Sequence, residues 1–346
     1  MEAARIHAYG EHGLHLDSVP EPKIQGPLDV IVRIGGAGLC RTDLHILEGQ
    51  WKEKTGVKLP YTLGHENAGW VHQVGSAVTN VAVGDPVIVH PLVTDGLCRA
   101  CRAGDDMHCS NAAFPGITTD GGFATYLLTG ARAVVKLDRS LHPKDVAALA
   151  DAGLTAYHAV RKARPLLYPG TKAVVIGAGG LGHIGIQCLK ALTPAEIIVV
   201  DRSDGALDLA KKIGADHTVR ADGKAVAAVK ELTGGAGAEV VIDFVGEGGA
   251  VEAGVGMLRR AGSYFVIGYG GNVHTPTIDI ISTEINFVGN LVGTYNDLVE
   301  LMTLAAQNKV RLHTKVFPLE GINDAIAALD AGRLQGRAIL VPEKAM

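Results

Sequence analysis

The sequence predicts an α/β chain in which a β-rich first part precedes a doubly wound parallel sheet. Three observations carry that expectation. Over residues 1–150, short Val/Ile runs such as VIVRI (30–34), AGWVHQV (68–74) and DPVIV (85–89) are separated by Gly, Pro and Asn turns, the pattern of short strands. From about residue 155 near-continuous apolar strands alternate with amphipathic helices. Strands of that kind are covered on both faces, which means a parallel sheet between helical layers. Finally, VVIGAGGLGHIG (174–185) places a tight glycine turn directly after a strand and at the opening of a helix.

Element by element, the strands of the second part are AVVIG (173–177), EIIVVD (196–201), DHTVR (216–220), EVVIDFV (239–245), SYFVIG (263–268) and INFVG (285–289). Six of them fit the doubly wound nucleotide-binding order. ALDLAKKIGA (206–215) and KAVAAVKELTG (224–234) have the helical period between them. After residue 294 come two further helical patterns and a last strand, GRAILV (336–341), which are expected to return to the first domain.

At 346 residues the chain is long enough for two domains, each with its own core. A net charge of −4 argues against nucleic acid or an anionic membrane as an obligatory partner. The segment MEAARIHAYG lacks an apolar signal region, and no apolar run reaches the roughly 18 residues needed to cross a bilayer. Three of the five cysteines (Cys98, Cys101, Cys109) cluster, while Cys40 and Cys188 stand apart. An odd count without a visible secretory signal reads as metal ligation rather than disulfides. A cytoplasmic location is the expectation.

Two runs carry the chemistry. GLCRTDLH (38–45) brings a thiol (Cys40), a hydroxyl (Thr42), a carboxylate (Asp43) and an imidazole (His45) together, and LGHENAGWV (63–71) sets His65 beside Glu66. Thiolate and imidazole are preferred zinc ligands, and a catalytic zinc needs three protein ligands with one open position. A hydroxyl two residues from a ligating cysteine can hydrogen-bond whatever fills that position, and a nearby imidazole can carry the proton away.

In the glycine turn, Gly177, Gly179, Gly180 and Gly182 give the GxGxxG spacing, with Leu181 inside it. Such a turn brings backbone N–H groups and a helix N-terminus against a pyrophosphate. The next strand ends in Asp201, whose carboxylate can accept from a ribose diol and repels a 2′-phosphate, which favours NAD over NADP. The plainer alternative makes Asp201 the cap of the following helix. Arg202 beside it can stack on adenine or partly accommodate a phosphate.

Together these motifs make the chain similar to the zinc-containing alcohol dehydrogenases of the medium-chain dehydrogenase/reductase superfamily, over essentially its whole length. Through DAGLTAYHA (151–159) it resembles the bacterial NAD-dependent secondary-alcohol dehydrogenases. The resemblance implies a GroES-like β-rich catalytic domain over 1–153, a Rossmann domain over 154–293 and a return to the catalytic domain over 294–346. It implies a catalytic zinc on Cys40, His65 and Asp151, with Glu66 able to replace a ligand and Asp43 fixing the His65 tautomer from behind. Because related polyol dehydrogenases bring the Glu into the site, Asp151 and Glu66 stay open as alternatives.

The family's structural zinc loop implies Cys98, Cys101 and Cys109 as ligands, and its first position falls on Asp95, a carboxylate in place of a thiolate. Asp105, Asp106 and His108 are the alternatives there, as is a metal-free loop. Thr42 and His45 would pass the alcohol proton to solvent, or His45 is simply a solvated helix residue. Arg41 and Arg337 are implied as pyrophosphate partners, Thr155 as a neighbour of the nicotinamide, and Val245, Ile267 and Leu291 as backbone facing it. Each of those three is equally readable as plain core.

Trp51, Leu92, Val93, Phe114, Ile117 and Val292 are implied as substrate lining, a mostly apolar set that favours a hydrophobic alcohol over a sugar. The expected function is reversible oxidation of a primary or secondary alcohol with NAD+. The alternatives are a polyol dehydrogenase and, from another class, a zinc-free quinone reductase or structural NAD(P)-binding relative lacking the Cys40 and His65 positions. The expected partners are a small-molecule alcohol, aldehyde or ketone and further copies of the chain, as a homodimer or homotetramer, with no nucleic acid and no membrane.

Overall fold

The computed structural model describes residues 1–342. Its described residues divide into two compact units, one made of residues 1–154, 294–308 and 312–342, the other of residues 155–293 and 309–311.

The first part contributes eight strands to the first unit: β1 (Glu2–Ile6), β2 (His15–Ser18), β3 (Asp29–Leu39), β4 (Tyr61–Thr62), β5 (Glu66–Val74), β6 (Pro86–Val89), β7 (Tyr126–Gly130) and β8 (Val134–Lys136). The second unit holds β9 (Lys172–Ile176), β10 (Glu196–Asp201), β11 (His217–Arg220), β12 (Ala238–Asp243), β13 (Leu258–Val266) and β14 (Asn286–Gly289). The chain then returns to the first unit with β15 (Thr314–Pro318) and β16 (Arg337–Val341).

In the first unit β1 lies between β2 and β4, and the larger sheet runs β15-β16-β3-β5-β6-β8 with β7 also paired to β3. Strand β3 is the hinge of this sheet because it is long (DVIVRIGGAGL) and nearly all buried, so it can pair with β5, β7 and β16 along its length. The core beneath it gathers Ile6, Val30, Val32, Ile34, Leu39, Val87, Phe123 and Leu340.

In the second unit the order is β11-β10-β9-β12-β13-β14, all parallel. This is the doubly wound arrangement, and its order reverses between β9 and β12, the place where open α/β sheets bind ligands beyond their strand ends. The apolar runs read from the sequence are buried as parallel strands are: Val174, Ile198, Val200, Val241 and Tyr264 share one core cluster. Strand β13 begins five residues before the expected 263, because its Leu258–Arg260 start pairs across a register shift against β12. Among the described residues no helix is long and apolar enough to cross a membrane.

Candidate metal centres and dinucleotide crevice

The first cluster is assembled from three elements of the first unit. Cys40 follows β3 directly and is the N-cap of helix Arg41–Leu47. His65 and Glu66 stand at the start of β5, and Asp151 precedes helix Ala152–Ala163. One ligand atom from each of Cys40, His65, Glu66 and Asp151 lies within 4.8 Å of all the others. His65 is 1% exposed and Glu66 fully buried, so the group is withdrawn from solvent except at Asp151.

The His65 ring is set by carboxylates on both sides. Its Nε2 is 3.4 Å from Asp151 Oδ2 and its Nδ1 is 3.3 Å from Asp43 Oδ1. The Nδ1–Asp43 contact is an ion-pair distance without hydrogen-bond alignment, since both atoms are buried with no hydrogen-bond partner. Asp43 is anchored by its other oxygen, which accepts from the Cys40 backbone N–H at 2.8 Å. Burial opposes charge on the imidazole, yet Asp43, Asp151 and Cys40 outweigh it and raise its pKa well above the ordinary value. A buried thiol, an imidazole and two carboxylates converging this closely is a donor set suited to zinc.

Glu66 is not free to point anywhere. Its Oε1 accepts from the Arg337 guanidinium and from the Ala152 backbone N–H at 3.2 Å, whereas Oε2 is buried without a partner. Burial raises the Glu66 pKa, with Arg337 pulling against it. Arg337 is 4% exposed, so the guanidinium expected at a pyrophosphate is engaged in this unit by a buried carboxylate. Arg41, by contrast, is exposed and 3.6 Å from Asp330. Thr42 and His45 lie three residues apart on helix Arg41–Leu47 and are half-buried; that spacing puts them on one helix face.

The expected substrate-lining residues are divided between the two units. The Phe114 ring meets His65 edge-on with centroids 5.9 Å apart. Leu92 and Ile117 are buried, Val93 pairs with Ala113, and Trp51 packs on the first unit's core. Val292 belongs to the second unit and is buried with φ +48°, a left-handed value that a β-branched residue rarely takes.

The second cluster is local. Asp95, Cys98, Cys101 and Cys109 bring one ligand atom each within 4.8 Å. Cys98 and Cys101 sulfurs are 3.6 Å apart, and the Cys109 sulfur is 3.6 Å from Asp95 Oδ1. The Leu97 N–H (2.8 Å), the Asn111 amide (2.7 Å) and the Cys98 N–H (3.2 Å) all donate to Asp95 and hold its carboxyl well below the usual carboxylate range. Of the alternatives, Asp106 is engaged elsewhere, by Arg132 at 3.3 Å and by the Tyr295 N–H at 3.1 Å.

In the second unit the glycine turn follows β9 and opens helix Gly182–Leu192. Gly177 has φ +87°, and a Cβ on Gly182 would lie 1.7 Å from the Gly177 carbonyl oxygen, so neither position admits a side chain. A Cβ on Gly179 would meet nothing within 4 Å, which leaves open space over the N-terminus of the helix. That cradle fits a pyrophosphate.

Beside it is a cavity of about 400 Å³ lined by Gly177, Asp201, Arg202, Asp222, Val245 and Gly248. Asp201 does not cap the next helix, as the plainer reading had it. The N-cap is Ser203, whose hydroxyl accepts from Ala206 N. Asp201 instead accepts from Ala178 N (2.7 Å) and Ser203 N (2.8 Å), tying the end of β10 to the glycine turn. Arg202 donates to the Gly248 carbonyl at 2.9 Å. Gly180 and Leu181 are half-buried in the turn, Val245 and Ile267 are half-buried beyond β12 and β13, Leu291 is 53% exposed, and Thr155 is buried.

Comparison with known proteins now decides the family. Residues 26–139 match the alcohol dehydrogenase GroES-like domain, and residues 180–307 match the zinc-binding dehydrogenase domain. A curated relative, the NAD-dependent alcohol dehydrogenase of Sulfurisphaera tokodaii, is 38% identical over 99% of this chain and all of its own. The chain belongs to the zinc-containing alcohol dehydrogenases of the medium-chain dehydrogenase/reductase superfamily. A D-arabinose 1-dehydrogenase (NADP(+)) of Saccharolobus solfataricus is also 38% identical, over 99% of this chain and 97% of the relative. Among solved structures, an alcohol dehydrogenase of the hyperthermophilic archaeon Aeropyrum pernix superposes with a TM-score of 0.96 at 49% identity, covering 99% of this chain and 100% of that one. The fold is therefore a GroES-like domain joined to a zinc-binding dehydrogenase domain of Rossmann type.

Two functional features were missed in the sequence. The Glu66–Arg337 pair joins positions 271 residues apart, and nothing local announces it. Asp243, at the end of β12, is fully buried and organises the turn that follows; a lone acidic residue ending an apolar strand was the available signal.

Proposed function

We propose that this chain reversibly oxidises primary or secondary alcohols to aldehydes or ketones with NAD+, on a zinc held by Cys40, His65 and Asp151. The observation that carries the reading is the convergence of those three side chains within 4.8 Å in a buried site, in a member of this family. When bound there, zinc supplies a Lewis acid that lowers the pKa of an alcohol hydroxyl, and NAD+ supplies the hydride acceptor.

The protein's own groups do the rest. Asp151 is favoured over Glu66 as resting ligand because Arg337 and Ala152 hold Glu66 by Oε1, which leaves only its Oε2 for an exchange of ligand. Asp43 holds the Nδ1 side of His65 and leaves Nε2 for the cluster. Thr42 takes the alcohol proton and His45, on the same helix face, delivers it to water. Asp95, Cys98, Cys101 and Cys109 hold a second, structural zinc.

The glycine turn of Gly177, Gly179, Gly180, Leu181 and Gly182 takes the pyrophosphate. Asp201 takes the ribose diol, which selects NAD+ against a 2′-phosphate. Arg202 borders the adenosine cavity. Arg41 neutralises the pyrophosphate, whereas Arg337 is kept by Glu66, and Thr155, Val245, Ile267 and Leu291 face the nicotinamide. The segments 1–153 and 294–346 form the catalytic domain and 154–293 the dinucleotide domain. The apolar set Trp51, Leu92, Val93, Phe114, Ile117 and Val292 favours a hydrophobic alcohol. We further propose a cytoplasmic homodimer or homotetramer with no nucleic-acid or membrane partner.

A sugar or polyol dehydrogenase is the second reading, favoured by the relative named as a D-arabinose dehydrogenase. One experiment separates them: zinc analysis of the purified chain with a turnover screen over 2-propanol, benzyl alcohol, sorbitol and arabinose, each with NAD+ and NADP+. The proposal expects NAD+-linked oxidation of the apolar alcohols. Preference for the polyols or for NADP+ overturns the corresponding part, and turnover undiminished after complete zinc removal overturns the whole.

A further inference from the structure

The second unit contains a buried ionisable pair that neither the metal clusters nor the glycine turn uses. Asp243 ends β12 and Tyr264 lies in the neighbouring β13; both are 0% exposed. The Tyr264 hydroxyl donates to Asp243 Oδ2. The other carboxylate oxygen, Oδ1, accepts from the backbone N–H groups of Val245 (2.8 Å) and Gly246 (3.0 Å). Three donors thus surround one carboxylate that has no access to water. Burial, and then Asp243 itself, drives the Tyr264 pKa upward, so the phenol remains a donor.

The pair is also the junction of two loops. The Asp243 backbone carbonyl accepts from Ile267 N (3.1 Å) and Gly268 N (2.9 Å), and Gly271 N donates to the Gly246 carbonyl at 2.8 Å. A Cβ on Gly246 would lie 2.1 Å from the Gly268 carbonyl oxygen, and one on Gly268 would lie 2.3 Å from the Val245 carbonyl carbon. The segments after β12 and β13 are therefore packed backbone on backbone. The first of them supplies Val245, Glu247, Gly248 and Gly249 as one wall of the cavity that Gly177 and Asp201 also line. At its tip the same wall is tied down by Arg202 on the Gly248 carbonyl.

We propose that Tyr264, acting through Asp243, is a positioning residue for the cofactor: the pair fixes the Val245–Gly249 wall and so sets dinucleotide affinity without touching the ligand. This rests on the reading that the crevice takes a dinucleotide. Without the phenol hydroxyl, Asp243 Oδ2 is a buried acceptor left unpaired, a costly state. The carboxylate reorients to relieve it, and the two backbone N–H groups it holds must follow or lose their acceptor. The wall of the cavity then shifts while the core strands stay in place.

The test uses the full chain, with ADP-ribose as the binding probe and benzyl alcohol oxidation as the kinetic one. Wild type binds ADP-ribose; failure to do so overturns the dinucleotide reading and this inference with it. Tyr264→Phe weakens ADP-ribose binding and raises KM for NAD+ about tenfold, while kcat at saturating NAD+ and KM for the alcohol move less than about twofold. An unchanged ADP-ribose Kd, or a loss spread equally over kcat and both KM values, overturns the positioning role. Asp243→Asn is the second variant, read even if Tyr264→Phe does not fold. Its amide oxygen still accepts from the turn and its NH2 faces the Tyr264 oxygen. It weakens ADP-ribose binding by no more than about threefold; a larger loss overturns the hydrogen-bond geometry on which the inference stands.

Discussion

The two Cys-containing clusters differ in how far the chain must travel to build them. Asp95, Cys98, Cys101 and Cys109 come from a single loop of fifteen residues, bounded by turns and largely at the surface. Cys40, His65, Glu66 and Asp151 come from the end of one strand, the start of another and the approach to a helix more than a hundred residues away. The local cluster can form whenever its loop closes. The long-range one exists only when the sheet that carries β3 and β5 is complete, and its charges are enclosed in the same core. Under the proposed function the local cluster would contribute to stability and the long-range one to chemistry, and the variants below test whether each can be perturbed with little effect on the other.

The largest effect should separate the two outright. Cys40→Ala or His65→Ala is expected to lower kcat/KM by at least about a thousandfold, the scale of Lewis-acid stabilisation. NADH binding, followed by fluorescence titration, stays near wild type because the glycine turn belongs to the other unit. Substantial alcohol turnover in either variant would break the assignment of this cluster to the reaction.

Enclosure itself is tested by Glu66→Ala. Arg337 is then left as a buried cation without its carboxylate, and denaturant unfolding should show a loss of about 3–5 kcal/mol. An equal loss from Asp95→Ala would erase the distinction between a buried and a surface cluster.

The loop cluster is sharpened by restoring a thiolate. Purified protein is expected to hold about two zinc ions per chain, one in each cluster. Asp95→Cys should slow zinc loss to a chelator, since thiolate is the softer donor, with turnover nearly unchanged. Asp95→Ala should lower Tm by a few degrees and leave about one zinc. A stoichiometry of one zinc in wild type, unaltered by Asp95→Ala, would show that the loop folds without metal.

The smallest effect concerns a charge group belonging to neither cluster, at the amino edge of the parallel sheet. Lys172 first, and then His217, hold the Glu196 carboxyl below its ordinary pKa against the opposing effect of burial. A depressed carboxylate stabilises the fold above its unfolded pKa, and that stabilisation is lost as pH falls through the folded one. Glu196→Gln should therefore be slightly less stable than wild type at neutral pH and converge with it in acid. A difference that grows in acid would reverse the sign and refute the account.

Much of this was legible because the relevant signals are local. Strands β9, β10 and β12 announce themselves as unbroken Val/Ile runs, since a strand covered on both faces has no polar side to show. Gly177 and Gly182 mark a turn whose backbone excludes any Cβ. Cys98, Cys101 and Cys109 advertise themselves by spacing alone. Strand β15 (TKVFP) was missed because it is exposed, carries a proline and has no alternation to read. It is a strand only because β16 pairs with it in parallel.

By itself, then, the sequence determined the order of the strands in the second unit, the glycine cradle and the local motifs that hold Cys40, His65, Cys98, Cys101 and Cys109, since each depends on residues close together in the chain. Only the tertiary structure decided how those ligands are held. It gave Glu66 to Arg337 across 271 residues, placed Asp43 and Asp151 on opposite nitrogens of His65, and tied Asp201, read from the sequence as a ribose acceptor with helix capping as the alternative, to the glycine turn. The physical reason is that a buried charge takes whichever partner the completed fold brings within reach, and that partner leaves no mark on the residues beside it in sequence.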